Sequence, residues 1–236
     1  DEPGSTGYSL TDVDAIARAV PEAHRRGFSV RLHACGNKSA RMALDYYEEA
    51  IRQYGKNKCR HAIEHCELID PSDLPRFGKL GVIPSVQPEH VALTQTFDGN
   101  PYRTVLGEEL AATTWPFRDL LDSAGILAIG SDCPVVDNDP FLEIYRAIAR
   151  VHNDGKPDGG WNPSQKLTLA EVLRFYTYGS AYAVSREEEL GSLESEKFAD
   201  LVVLDRNLFE TPIEEIRNTN VFMTIMDGRI VYRKEA

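Results

Sequence analysis

The sequence predicts an α/β chain in which residues 1–190 form half of an eight-stranded βα barrel and residues 191–236 a small β appendage. Three observations carry this. Helix-period stretches alternate with the short runs FSVRLHA, RHAIEH, GVIPSVQ and ILAIGSD, an alternation that implies parallel pairing with right-handed crossovers. Past Gly191 the pattern changes to DLVVLD and VFMTIMDGRIVYR, strands with a hairpin turn at Asp227-Gly228. Finally, three of the apolar runs end in His33, His65 and Asp132, ligand-type residues at equivalent places in separate βα units.

The elements follow in order. Thr11 is placed to cap a helix from Asp12 toward Arg26, with Asp14 in its first turn, Pro21 as a kink or break and Gly27 as the stop. FSVRLHA (28–34) reads as a buried strand. From Lys38 to Tyr54, the residues Ala40, Ala43, Leu44, Tyr47, Ala50, Ile51 and Tyr54 fall at helical spacing before Gly55. RHAIEH (60–65) is too short for a helix and reads as a strand. A helix near Ser72–Leu80 precedes GVIPSVQ (81–87), and one near Phe117–Ala124 precedes ILAIGSD (126–132). The excursion between Pro88 and Pro116 exceeds an ordinary βα loop and is expected to serve as a substrate-facing lid. Helices at Pro140–His152 and Thr168–Val184 close this part, the second opening on a capping box of Thr168 and Glu171 with Leu167 and Val172 as staple.

A length of 236 residues with 42% hydrophobic content supports one sizeable core and a small satellite. A net charge of −11 disfavours nucleic acid and anionic membrane surfaces as partners and leaves small molecules as the expected ligands. No apolar run reaches the roughly 18 residues of a membrane span, and the opening DEPGSTGYSL lacks the basic and apolar pattern of a secretory leader. A cytoplasmic setting is expected. Cys35, Cys59, Cys66 and Cys133 lack CxxC spacing and are read as small apolar fillers rather than disulfides or ligands.

Two imidazoles and a carboxylate, each from the C-terminal end of a strand, are what a divalent metal needs for a hydrolytic site with an open position. Read alone, His33 has as its alternative a core or rim histidine bonded to backbone, and Asp132, in GSDCP, a turn or capping aspartate. Three such residues at strand ends argue for convergence. HAIEH (61–65) also matches a zinc-protease pattern, but that pattern requires a helix; on a strand His61 points with His65 and becomes a candidate supporting group. Gln87 and His90, in VQPEH, are candidate substrate contacts, with loop hydrogen bonding as the alternative.

LHACGNKSA, RHAIEHCELIDP, GVIPSVQPEH, FRDLLDSAGILAIGSDCPVVDNDPFLEIYRAI and GSLESEKFADLVVLD resemble the C-terminal half of the amidohydrolase superfamily. They are most similar to the family 3 branch that includes N-substituted formamide deformylases. The resemblance implies a TIM-like barrel beside a small β-sandwich. His33 and His65 are then ligands from the fifth and sixth barrel strands, and Asp132 is a ligand and the general base from the eighth. Zinc is the implied metal, one or two ions in a complete enzyme. Asn37 departs from a commonly acidic position, and Glu196-Lys197-Phe198 replaces a glycine-lysine turn.

No HxH pair occurs in the chain, so the resemblance covers strands five to eight of the barrel and the C-terminal part of the sandwich. A half-barrel exposes strand edges and apolar side chains, and the expectation is self-association or cover by an N-terminal half. Two readings compete with hydrolysis of an amide-type C–N bond: a catalytically silent, self-associating module, and a zinc-dependent deaminase.

Overall fold

The computed structural model describes residues 11–94 and 96–235; the DEPGSTGYSL segment lies outside the described residues. The chain divides into two compact units, Asp1–Val86 with Asp98–Ile126, and Gln87–Phe97 with Leu127–Ala236.

The first unit opens with helix α1 (Val13–Arg25). Asp12, not Thr11, is its cap: Asp12 Oδ1 accepts the N–H groups of Asp14 and Ala15, each at 3.0 Å. A carboxylate there also meets the positive end of the helix dipole. The helix runs unbroken through Pro21. It closes in a Schellman arrangement, Gly27 N–H donating to His24 O and Phe28 N–H to Ala23 O, both 2.9 Å. Strand β1 (Arg31–Ala34) is not the buried strand expected, since it alternates exposure and only Ala34 is buried. Arg31 and His33 share the exposed face, as a period of two dictates.

Helix α2 (Asn37–Tyr54) buries Ala40, Ala43, Leu44, Tyr47 and Ala50 as its spacing predicts, whereas Tyr54 is exposed. Strand β2 (Ala62–His65), helix α3 (Leu74–Leu80) and strand β3 (Ile83–Val86) follow. β1 pairs with β2 and β2 with β3, both parallel, with Ala34 level with His65. Helices α4 (Pro101–Ala111) and α5 (Phe117–Ala124) complete the unit. The long excursion is therefore structured: Asn100 caps α4 by accepting Tyr102 N–H at 2.9 Å, and Trp115 is buried. α3 lies so close to α5 that a Cβ on Gly78 would sit 2.2 Å from the Ser123 carbonyl oxygen.

Two buried imidazoles tie the other end of the strands together. Val30 N–H donates to His61 Nδ1 at 3.1 Å, which leaves the neutral ring its proton on Nε2 to face His24 Nδ1 at 2.9 Å. His24 Nε2 then donates to Gly55 O at 2.9 Å. Tyr47 stacks flat on His61, ring centres 4.6 Å apart, and its hydroxyl donates to Ala62 O. Burial, and then the adjacent His24, push His61 down to about 4, so His61 is neutral at pH 7.

In the second unit a 3₁₀ turn at Pro88–Ala92 is wholly buried. Strand β4 is only Ala128–Ile129, shorter than ILAIGSD suggested, and the Ile129 carbonyl accepts the Ser180 hydroxyl at 2.9 Å. Helix α6 (Pro140–Ala149) stops short of His152, with Arg150 in the left-handed region. The expected helix from Thr168 is present as α7 (Leu169–Arg174), a π-helical turn (Phe175–Gly179) and α8 (Ser180–Ala183). Its capping box forms: Thr168 N–H donates to Glu171 at 2.8 Å and Glu171 N–H to Thr168 Oγ1 at 3.3 Å. Strand β5 (Leu201–Leu204), short helix α9 (Ile213–Ile216) and strands β6 (Val221–Met226) and β7 (Arg229–Arg233) end the chain, with an antiparallel sheet in the order β5-β6-β7. Asp227 and Gly228 both take positive φ, 50° and 73°, the requirement of a type I′ hairpin turn.

Among the described residues no helix is long and apolar enough to cross a membrane. The Gly78 contact yields a prediction. Gly78→Ala forces α3 and α5 apart and lowers stability by about 1–3 kcal/mol, measured as the shift in urea midpoint.

Candidate functional site

In the first unit the parallel register sets His33 and His65 side by side at the strand ends. Their rings meet edge to face with centres 4.3 Å apart. His33 is exposed and His65 is buried. His65 and Cys66 both hold positive φ, 77° and 51°, a strained conformation for residues with side chains and one that concentrates at functional sites. Cys66 N–H donates to Ala34 O at 3.2 Å and Leu68 N–H to Cys35 O at 2.9 Å, so the segments leaving β1 and β2 are laced together.

This lacing brings in Cys35, whose Sγ lies 3.5 Å from His33 Nε2. Donor atoms of His33, Cys35 and His65 all lie within 4.8 Å of one another, a set that fits one metal ion. The filler reading suits Cys66, which is fully buried and whose thiol burial pushes well up. It does not suit Cys35, which is half-buried, or Cys133, which is exposed. HAIEH is a strand, so the helical protease pattern does not arise, and His61 is engaged with Val30, Tyr47 and His24.

In the second unit Asp132 and His90 come together, His90 Nε2 standing 3.9 Å from Asp132 Oδ2. Asp132 takes φ 61° and is exposed, while His90 is buried. Gln87 is buried with no partner for its Oε1 among the described residues, so this side chain retains an unused acceptor.

Comparison with known proteins decides the relationship. The model of the Amidohydrolase family matches residues 1–232. The chain belongs to the amidohydrolase family. It is 32% identical over 98% of its length to protein LONG AFTER FAR-RED 3 of Arabidopsis thaliana. It is 29% identical over 98% of its length to the N-substituted formamide deformylase of Arthrobacter pascens. It covers 39% and 41% of those two relatives, so it spans about two fifths of the proteins it matches. A metal-dependent hydrolase from Pyrococcus horikoshii superposes on 82% of this chain and 37% of its own with a TM-score of 0.68 at 28% identity.

This member of the family also holds residues that sequence reasoning passed over. Glu67, two positions after His65, is buried and accepts the Tyr102 hydroxyl. In the second unit Arg146 clamps the Glu89 carboxylate through Nε and Nη2, both at 2.9 Å, and reaches the Asn153 side chain at 2.7 Å. One turn earlier on α6, the Glu143 carboxylate accepts Glu89 N–H at 3.0 Å. Together they grip the Gln87–His90 turn from beneath. The only sequence signal was charged Glu143 and Arg146 at i, i+3 on a helix whose other residues are apolar, a spacing that puts both on one face.

Burial, joined by the neighbouring Glu89 carboxylate, pushes Glu143 up to about 8 against the pull of the Glu89 N–H bond. A folded-state value above the unfolded one gives stability that is full below about pH 4.5 and is lost as pH rises through about 8. Glu143→Gln keeps the acceptor oxygen and cannot ionise. The variant matches the parent near pH 5 and has the higher urea midpoint at pH 9. Arg146→Ala strands Glu89 as a buried charge and costs about 3–5 kcal/mol in the same measurement.

Proposed function

We propose that this chain is the metal-holding and proton-transferring part of a hydrolase that cleaves a non-peptide, amide-type C–N bond in a small molecule. The observation that carries the reading is the side-by-side placement of His33 and His65 at parallel strand ends in a member of the amidohydrolase family. The similarity to an N-substituted formamide deformylase and to a metal-dependent hydrolase supports it. The same reading takes residues 1–190 as strands five to eight of the barrel and 191–236 as part of a β-sandwich.

His33 and His65 would hold a divalent metal through ring nitrogens. When bound, such a cation supplies Lewis acidity, making water acidic enough to attack near neutral pH and polarising the substrate carbonyl. In this proposal Asp132 is the third metal ligand and the general base: its carboxylate accepts the proton of the attacking water and returns it to the leaving nitrogen. His90, beside Asp132, and Gln87, with a free acceptor oxygen for a substrate N–H, orient the substrate. In a preparation that hydrolyses an N-formyl amide, Asp132→Asn lowers kcat by about 10²–10⁴, and near-parental turnover refutes the assignment. His65→Ala abolishes stoichiometric zinc retention, measured by metal analysis after dialysis.

A second reading is a silent module that self-associates. The observation in its favour is the exposure of Val202, Phe222, Ile230 and Val231 on β5–β7. Sedimentation at micromolar concentration combined with metal analysis separates the readings: an associating, zinc-free chain favours the module. Turnover of amino-heterocycles in place of amides would redirect the assignment to a deaminase, the activity named for a relative from Symbiobacterium thermophilum that is 24% identical.

A further inference from the structure

We infer that Cys35 is a thiolate ligand in the metal site of His33 and His65, making a His₂Cys donor set selective for zinc. The inference rests on the reading of those two histidines as ligands and gives Cys35, in place of Asp132, the third ligand position, so that the fourth stays open for water and Asp132 acts as the base alone.

Distance makes the first argument. A tetrahedral zinc ion has its sulfur ligands at about 2.3 Å and its imidazole nitrogens at about 2.0–2.1 Å, so one sulfur and one nitrogen ligand stand about 3.6 Å apart. Cys35 Sγ and His33 Nε2 are 3.5 Å apart. A donor atom of His65 lies within 4.8 Å of both, close enough for small rotamer adjustments to close the set around one ion.

Backbone anchoring makes the second. Cys35 sits between β1 and Gly36, the cap of α2, and its carbonyl accepts Leu68 N–H at 2.9 Å just past β2. The side chain is thus presented by a fixed peptide at the strand end. It is half-buried, open enough to give up its proton to solvent as the metal binds and the sulfur–metal bond forms. Chemistry makes the third. A soft thiolate beside two imidazoles favours zinc over magnesium, calcium or manganese, which prefer oxygen donors. The competing account of the short Cys35–His33 distance is a plain thiol–imidazole hydrogen bond, with no role in metal binding.

Cobalt(II) substitution in the purified chain tests this by a readout independent of turnover. Expected are visible ligand-field bands together with a thiolate-to-cobalt charge-transfer band in the near ultraviolet. Cys35→Ser loses the charge-transfer band, and Cys59→Ser keeps it. Zinc affinity of Cys35→Ser falls by more than about a hundredfold, beyond the roughly 10–100-fold cost of losing a group that only supports a ligand. Cys35→Asp, which keeps a donor atom, regains part of the zinc affinity without the band; circular dichroism confirms that each variant is folded. Ligand-field bands without a charge-transfer band in the parent, or unchanged zinc affinity in folded Cys35→Ser, overturn the role of Cys35 and leave the two-histidine reading standing. Absence of any cobalt or zinc binding by the parent overturns both.

Discussion

The parallel register of β1 against β2 is the constraint on which the candidate metal site depends. Parallel strands deliver their C-terminal ends to one edge, so whatever residues lie there become neighbours regardless of their separation in sequence. With Ala34 level with His65, the rings of His33 and His65 meet although 32 positions apart (65 − 33). A slip by one residue would turn every side chain of β1 to the opposite face and remove His33 from His65. The register is secured from both ends. At the far end, the relay from Val30 through His61 and His24 to Gly55, with Tyr47 stacked on it, links β1, β2, α1 and α2. At the near end the links from Cys66 to Ala34 and from Leu68 to Cys35 hold the exits of the strands.

The second unit solves a different problem. It buries Glu89, Glu143 and Arg146, groups that are expensive to remove from water. The cost is contained by pairing: Glu89 is held at both carboxylate oxygens by Arg146, and Glu143 accepts the backbone N–H of Glu89 and escapes like-charge repulsion by keeping its proton. What this arrangement achieves is a rigid Gln87–His90 turn, with His90 facing Asp132 at 3.9 Å. Polar groups placed beneath a turn define its orientation more sharply than apolar packing, because hydrogen bonds fix direction as well as distance.

Much of this was legible in the chain. The helical spacing of Ala40, Ala43, Leu44, Tyr47 and Ala50 matches the buried face of α2, the Thr168–Glu171 box caps α7, and Asp227-Gly228 turns the β6–β7 hairpin. These are local rules, each needing only a few consecutive residues. The misreadings share the opposite character. Asp12 displaced Thr11 as cap through a choice between adjacent oxygens. β1 proved half-exposed because burial depends on what covers each face, and β4 pairs over two residues only, a length set by tertiary pairing that the run ILAIGSD does not state. Cys35 was read as filler because nothing in LHACGN states how near its sulfur would come to His33.

The sequence by itself determined the family, the alternation of helices and strands apart from α4 and α9, and the candidate residues His33, His65, Gln87, His90 and Asp132, because periodicity, capping and motif order are written in consecutive residues. Only the tertiary structure decided which of them meet. It paired His33 with His65 and added Cys35, paired His90 with Asp132, and set Glu143 and Arg146 beneath the Gln87–His90 turn. Such proximities arise from strand register and helix packing between segments far apart in the chain, and no local pattern encodes the distance between two side chains that only folding brings together.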